Sequence, residues 1–160
     1  MNLTAKSRYA LKILLHLEKQ TKTSPVQRAA LSKAEGIPIE YMDQIIPLLK
    51  KSSLIKTSQG PKGGLLLQNY EKKINIWQIF TAVEKHLYPV QCLENSNCTQ
   101  DPSCSAQAAW KIIYSKIKKE LSQITLDQIN NIDKKTKLKI KKTNNNTHTA
   151  RCQSTKDYFQ

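Results

Sequence analysis

Residues 39–51 place Met42, Ile45, Ile46 and Leu49 at positions i, i+3, i+4 and i+7, and Gly36 and Pro38 stand just before them. Such spacing lines one face of an α-helix, leaving Glu40, Asp43, Gln44 and Lys51 on the other. Pro47 lies inside the segment and has no backbone N–H to donate, so a kink or an early end is expected there, at a cost of about 3 kcal/mol. Upstream, Gln27 to Glu35 predicts a further short helix with Gly36 as its C-cap. Two short helices across a glycine-containing turn, the second presenting polar side chains outward, make a helix-turn-helix.

The next stretch of chain narrows the architecture. Leu54-Ile55-Lys56-Thr57-Ser58 and Leu65-Leu66-Leu67 flank the turn Gln59-Gly60-Pro61-Lys62-Gly63-Gly64, which predicts a β-hairpin, and a hairpin directly after a helix-turn-helix is a wing. Lys56 and Lys62 can meet phosphates from it. No Gly-Lys-Ser/Thr opens a helix after the glycines, which excludes a nucleotide-binding P-loop. From about Thr4 to Lys19, Tyr9, Leu11, Ile13, Leu14, Leu15 and Leu17 give a broad apolar face that belongs in a core. Asn75 is placed to cap a helix from Ile76 to roughly Glu84, in which Trp77 and Phe80 read as core residues rather than base-stacking platforms.

Cys92, Cys98 and Cys104 recur at equal intervals in a polar, turn-rich stretch. Three thiolates so spaced suit zinc, copper(I) or an iron-sulfur cluster; the bland alternative is three ordinary thiols. Only Cys152 lies elsewhere. Lys6, Arg8 and Lys12 interrupt the apolar runs of the first twenty residues, so neither a signal peptide nor a membrane span is drawn, and the chain reads as cytoplasmic. Reduced thiols in that compartment disfavour a disulfide framework. His16, His86 and His148 are scattered without a Cys-His pair, so no enzyme is expected.

After the cysteines, Ser105 to Gln123 repeats Trp110, Ile113, Ile117 and Leu121 along a narrow stripe, with Lys111, Lys118 and Lys119 opposite. A pairing helix fits this better than packing onto the chain's own body, which is the competing reading. Net charge is +14; residues 131–160 hold eight Lys/Arg against two Asp, and 1–130 hold eighteen against ten acids. Both parts favour a polyanion such as DNA or RNA, solubility being the plainer explanation. The Lys/Asn/Thr-rich residues 131–160 read as a disordered basic tail.

Leu3-Thr4-Ala5-Lys6-Ser7-Arg8-Tyr9-Ala10, Gly36-Ile37, Tyr41, Gln44, Gly60-Pro61-Lys62-Gly63-Gly64, Ala82-Val83-Glu84, the cysteine trio and Ile124-Thr125-Leu126 together resemble the Rrf-type winged-helix transcriptional regulators. Within that family the likeness is greatest to the branch that responds to iron-sulfur clusters, and it covers about residues 1–130. The resemblance implies a mainly α fold with a small β-hairpin wing: a winged helix-turn-helix domain (1–85), a cysteine cluster-binding loop (86–104) and a dimerisation helix (105–130) that pairs through Trp110, Ile113, Ile117 and Leu121. It implies a homodimer on a pseudo-palindromic double-stranded operator, acting as a repressor of iron-sulfur biogenesis genes. The cofactor implied is an iron-sulfur cluster on Cys92, Cys98 and Cys104, two-iron two-sulfur by first choice and four-iron four-sulfur as the other form. The side chains expected at DNA are Arg8, Tyr9, Glu40, Tyr41, Asp43, Gln44, Lys51, Gln59 and Lys62. The alternative keeps the DNA module and makes the cysteines a zinc or thiol-redox switch.

This chain departs from the family's pattern at defined positions. Gln107 stands where the family has its fourth ligand, a histidine three residues after the last cysteine; Asp101, Glu94, His86, an exogenous thiol or water are the candidate replacements. Arg8 stands where the nitric-oxide-sensing relative carries an aspartate ligand. Asp43 stands where glutamate is usual, Gln59 where arginine is usual, and Glu40 where a smaller polar residue is usual.

Overall fold

The computed structural model describes residues 3–20, 24–60, 63–68, 73–93 and 104–132. Helix α1 (Ala5–Lys19) starts at Thr4, whose side chain accepts from the Lys6 N–H, and buries Ala10, Ile13, Leu14 and Leu17. The short helix α2 (Arg28–Glu35) ends at Gly36, which sits in the left-handed region at φ 62° as a C-cap requires. Helix α3 (Ile39–Lys51) buries Met42, Ile45, Ile46 and Leu49, the four positions that its spacing singles out.

Pro47 does not bring α3 to an early end, one of the two outcomes expected from the sequence: the helix runs on to Lys51. The physical reason lies in which face carries the defect. Proline at 47 leaves the Asp43 carbonyl without its helical donor, and both residues are exposed, so water can take that bond. Burial of Ile46 and Leu49 on the opposite side holds the last turn.

Strands β1 (Ile55–Ser58) and β2 (Gly64–Leu67) form the antiparallel hairpin, with Ile55 opposite Leu67 and Ser58 opposite Gly64. The outer edge of β2 is covered as well, because Val26 N donates to Leu65 O at 2.9 Å and Leu65 N returns a bond to Val26 O at 2.8 Å. The wing is thereby tied to the chain just ahead of α2. This close approach needs glycine, since a Cβ on Gly64 would run into the Val26 carbonyl. We expect Gly64→Ala to cost about 2 kcal/mol, read as a fall in thermal midpoint; an unchanged midpoint would mean that the Val26 bridge is dispensable.

Helix α4 (Ile76–Val83) opens with a full capping box, the Asn75 side chain taking the Gln78 N–H while the Gln78 side chain reaches back to the Asn75 N–H. Ile76, Ile79, Phe80 and Val83 are buried, completing a core with α1, α3 and the hairpin. A short 3-10 turn, Gln91–Leu93, leads towards helix α5 (Ser105–Gln123), in which no residue is buried. The sequence predicts a helix from Ser105 to Gln123 within a dimerisation region of 105–130, and α5 ends at Gln123. The chain then returns to the body: Thr125 bridges Asn75, Ile76 N donates to Ile124 O at 2.9 Å, and Leu126 N donates to Ile74 O at 3.0 Å. Residues 126–130 are helical, with Leu126 and Asn130 buried. The basic tail, Cys152 included, lies outside the described residues beyond 132.

Candidate nucleic-acid interface and cysteine site

The exposed face of α3 collects Glu40, Tyr41, Asp43 and Gln44, all solvent-facing. Tyr41 packs edge-on against Tyr9 of α1 with ring centroids 5.0 Å apart, and the Arg8 guanidinium lies 4.9 Å from the Tyr9 ring centre. Arg8, Tyr9 and Tyr41 thus form one continuous patch that joins the starts of α1 and α3. Gln44 borders a groove of about 610 Å³ shared with Thr4, Lys6, Leu48, Glu84 and Lys85. Lys51, at the far end of α3, and Gln59, at the wing turn, are exposed; Lys62 lies outside the described residues.

Glu84 supports that groove from the end of α4, although the sequence singled it out only as part of a family motif. Its Oε1 accepts from Thr4 N at 2.9 Å, Thr4 Oγ1 at 2.7 Å and Ser7 Oγ at 2.6 Å, so a carboxylate sits at the positive end of α1. Burial pushes the Glu84 carboxyl up, but the bonds from Ser7 and Thr4 together outweigh it and hold the group below the usual glutamate range. A depressed carboxyl contributes stability that is complete above its unfolded pKa and lost as pH falls through the lowered one. Glu84→Gln is therefore expected to flatten the acid limb of a stability-against-pH curve; a parallel downward shift of the whole curve would contradict this.

A second unforeseen contact is the pair formed by Arg28 of α2 with Asp43, whose Oδ1 accepts from Arg28 Nη1. Sequence spacing alone carries no sign of it. On the other side of α1, His16 Nδ1 lies 2.7 Å from Glu35 Oε1 and Lys12 Nζ donates to Glu35 O at 2.8 Å, fastening α2 to α1.

The cysteine stretch is framed by two of its thiols. Cys92 lies in the 3-10 turn and Cys104 is the N-cap of α5; both are free and half-buried. Cys98, Glu94 and Asp101 fall outside the described residues, and among the described residues no three His, Cys, Asp or Glu side chains gather as a metal site. Chemically the described pair fits a thiolate-bound cofactor. Neither thiol is spent in a disulfide, and soft sulfur donors suit iron or zinc. Gln107 occupies the first turn of α5, its N–H donating to Cys104 O at 3.1 Å.

Helix α5 meets the body through aromatics. Tyr114 lies edge-on to Trp77 of α4 at 5.6 Å and stacks on Tyr88 at 4.9 Å, while Lys118 Nζ lies 5.8 Å over the Trp77 ring. Burial, followed by the neighbouring Tyr88, pushes the Tyr114 phenol up. Leu121 packs partly against the core, but Trp110 and Ile113 remain 37% and 41% exposed and Ile112 58%.

A helical core of α1–α4 that includes a helix-turn-helix, with a β-hairpin wing and an extended helix, is the architecture of a winged-helix transcription regulator. Residues 3–132 match the family model described as Rrf2, iron-dependent transcriptional regulator, and the chain belongs to that family. It is 30% identical over 131 residues to the HTH-type transcriptional regulator IscR of Klebsiella pneumoniae, covering 82% of this chain and 80% of that one. Among solved structures, CymR, the global cysteine regulator of B. subtilis, superposes with a TM-score of 0.68 at 22% identity, covering 82% of this chain and 98% of that one. T. potens IscR gives 0.64 at 18% identity, covering 94% of each. These relatives are regulators rather than enzymes, and among the described residues no helix is long and apolar enough to cross a membrane.

Proposed function

We propose that the chain is a cytoplasmic, homodimeric regulator that reads a pseudo-palindromic operator through α3 and adjusts its grip according to an iron-sulfur cluster held by Cys92, Cys98 and Cys104. The observation that carries this reading is the pairing of an exposed polar face on α3 with an α5 that buries none of its residues, together with family membership and IscR relatives.

On this reading Gln44 reads adenine in the major groove through its side-chain amide. Tyr41, Arg8, Lys51 and the wing residues Gln59 and Lys62 set the helix against the backbone. Glu40 selects by rejecting acceptor-rich base edges. Trp110, Ile113 and Ile117 are covered by α5 of a second copy, because a helix-long apolar stripe left in water is an association surface. Bound to the three thiolates, a cluster would supply a group whose presence depends on iron and sulfide supply and on oxidants, which suits repression of genes for cluster assembly.

The chain's own residues carry the coupling. Cys104 caps α5, and α5 is fastened to α4 by Trp77, Tyr88 and Tyr114, so a constraint on the cysteine stretch bears on the helix that sets the spacing of two reading heads. Cluster retention and operator binding must then be reciprocally linked. Anaerobically purified protein is expected to be brown, with visible charge-transfer absorption and both iron and acid-labile sulfide. A colourless protein containing zinc would replace this reading with the zinc switch, and a metal-free protein with reversible thiol oxidation would replace it with the redox switch.

A further inference from the structure

Asp43 occupies the fifth position of α3, on the face it shares with Glu40, Gln44 and Pro47, and its carboxylate is held by the Arg28 guanidinium from the first residue of α2. Their side chains are 51% and 52% exposed, so the pair stands in solvent on the outer surface. The pair borders an open cleft of about 320 Å³ between α2, α3 and the hairpin, lined by Arg28, Asp43, Ile46, Pro47, Thr57 and Ser58 among others. The pair therefore spans the notch between the two helices and the wing, at the level where the first turns of a recognition helix meet base edges.

A bare carboxylate there is an acceptor only. It accepts from the cytosine amino group, meets repulsion from guanine O6 and N7 and from thymine O4, and repels nearby phosphates. Arginine in contact with it changes that chemistry. The combined head is neutral, and a guanidinium has five N–H donors, so donors beyond the one given to Asp43 can turn towards a phosphate or a purine acceptor. The geometry points to Arg28 as a specificity-determining positioning residue: by pairing with Asp43 it masks the carboxylate on the reading helix and widens the set of base pairs accepted opposite it. This rests on the proposal that α3 reads the operator.

Selection of bound sequences from a fully randomised duplex library separates the two claims. The wild type is expected to enrich a two-fold symmetric motif that tolerates several bases opposite residue 43. Arg28→Ala is expected to enrich the same motif with cytosine favoured at one position per half-site by about tenfold more than in the wild type, and Asp43→Asn added to it should erase that preference. Arg28→Gln, which keeps a polar though shorter side chain and loses the charge, should behave as Arg28→Ala and guards against a folding defect. A motif from either variant indistinguishable from the wild type, or a cytosine preference that survives Asp43→Asn, would overturn the role of Arg28 alone. Failure of the wild type to enrich any motif would overturn the reading of α3 and this inference with it.

Discussion

Ile113→Glu is expected to give a monomer in place of the proposed dimer while leaving the helix content intact. Ile113 is 41% exposed and lies on the same stripe as Trp110 and Ile117, whereas the contacts of α5 with its own body run through Tyr114, Trp77 and Leu121. Glutamate at 113 is thus well hydrated in the monomer. In a two-fold interface the same change occurs twice across one contact, and each buried carboxylate costs several kcal/mol unless it is paired. Sedimentation should report the monomer mass at concentrations where the wild type is dimeric. Operator affinity should fall by about 10²- to 10⁴-fold, because two linked reading heads become two independent ones. Persistence of the dimer would show that the stripe is covered by something other than a second α5.

The other large effect is expected from Cys104→Ser, which separates the thiol's chemistry from its structural place. Cys104 is the N-cap of α5 and makes no side-chain capping bond. Serine is among the better N-cap residues, so the substitution should stabilise the helix start by about 0.5–1 kcal/mol. A hydroxyl is nonetheless a poor ligand for iron, because soft thiolate is what the metal selects. Loss of nearly all bound iron and visible absorption is therefore expected, alongside an equal or raised thermal midpoint of the cluster-free protein. Cys152→Ser, in the basic tail, should retain both. Full iron content in Cys104→Ser would remove that thiol from the ligand set.

Much of this architecture is legible in the sequence where short-range chemistry decides it. The α3 stripe, the Gly36 cap, the Asn75 cap and the α5 stripe all rest on spacing and cap chemistry. Pro47 misleads because propensity records the cost of proline without the face on which it falls, and here that face is wet. The return of residues 124–130 to the body is hidden for a different reason. Ile124 continues the periodicity of Ile117 and Leu121, so one long helix reads as well as a helix followed by a bridge to Asn75, and only the long-range pairing separates them. The pairing of Arg28 with Asp43 and the hold of Glu84 on α1 likewise depend on how helices pack. Of the cysteine trio, Cys92 and Cys104 are placed at the two ends of their stretch, next to the element that the proposal couples to DNA.

The most direct measurement is a titration of one operator duplex, taken from the enriched library, with anaerobic cluster-loaded protein and with the same preparation stripped of iron, at equal salt. Reciprocal linkage predicts affinities that differ by about 5- to 150-fold, with the cluster in turn retained more tightly or more weakly on DNA by the same factor. Equal affinities for the two forms on every enriched duplex would contradict the claim that the cysteines govern how this regulator holds its target.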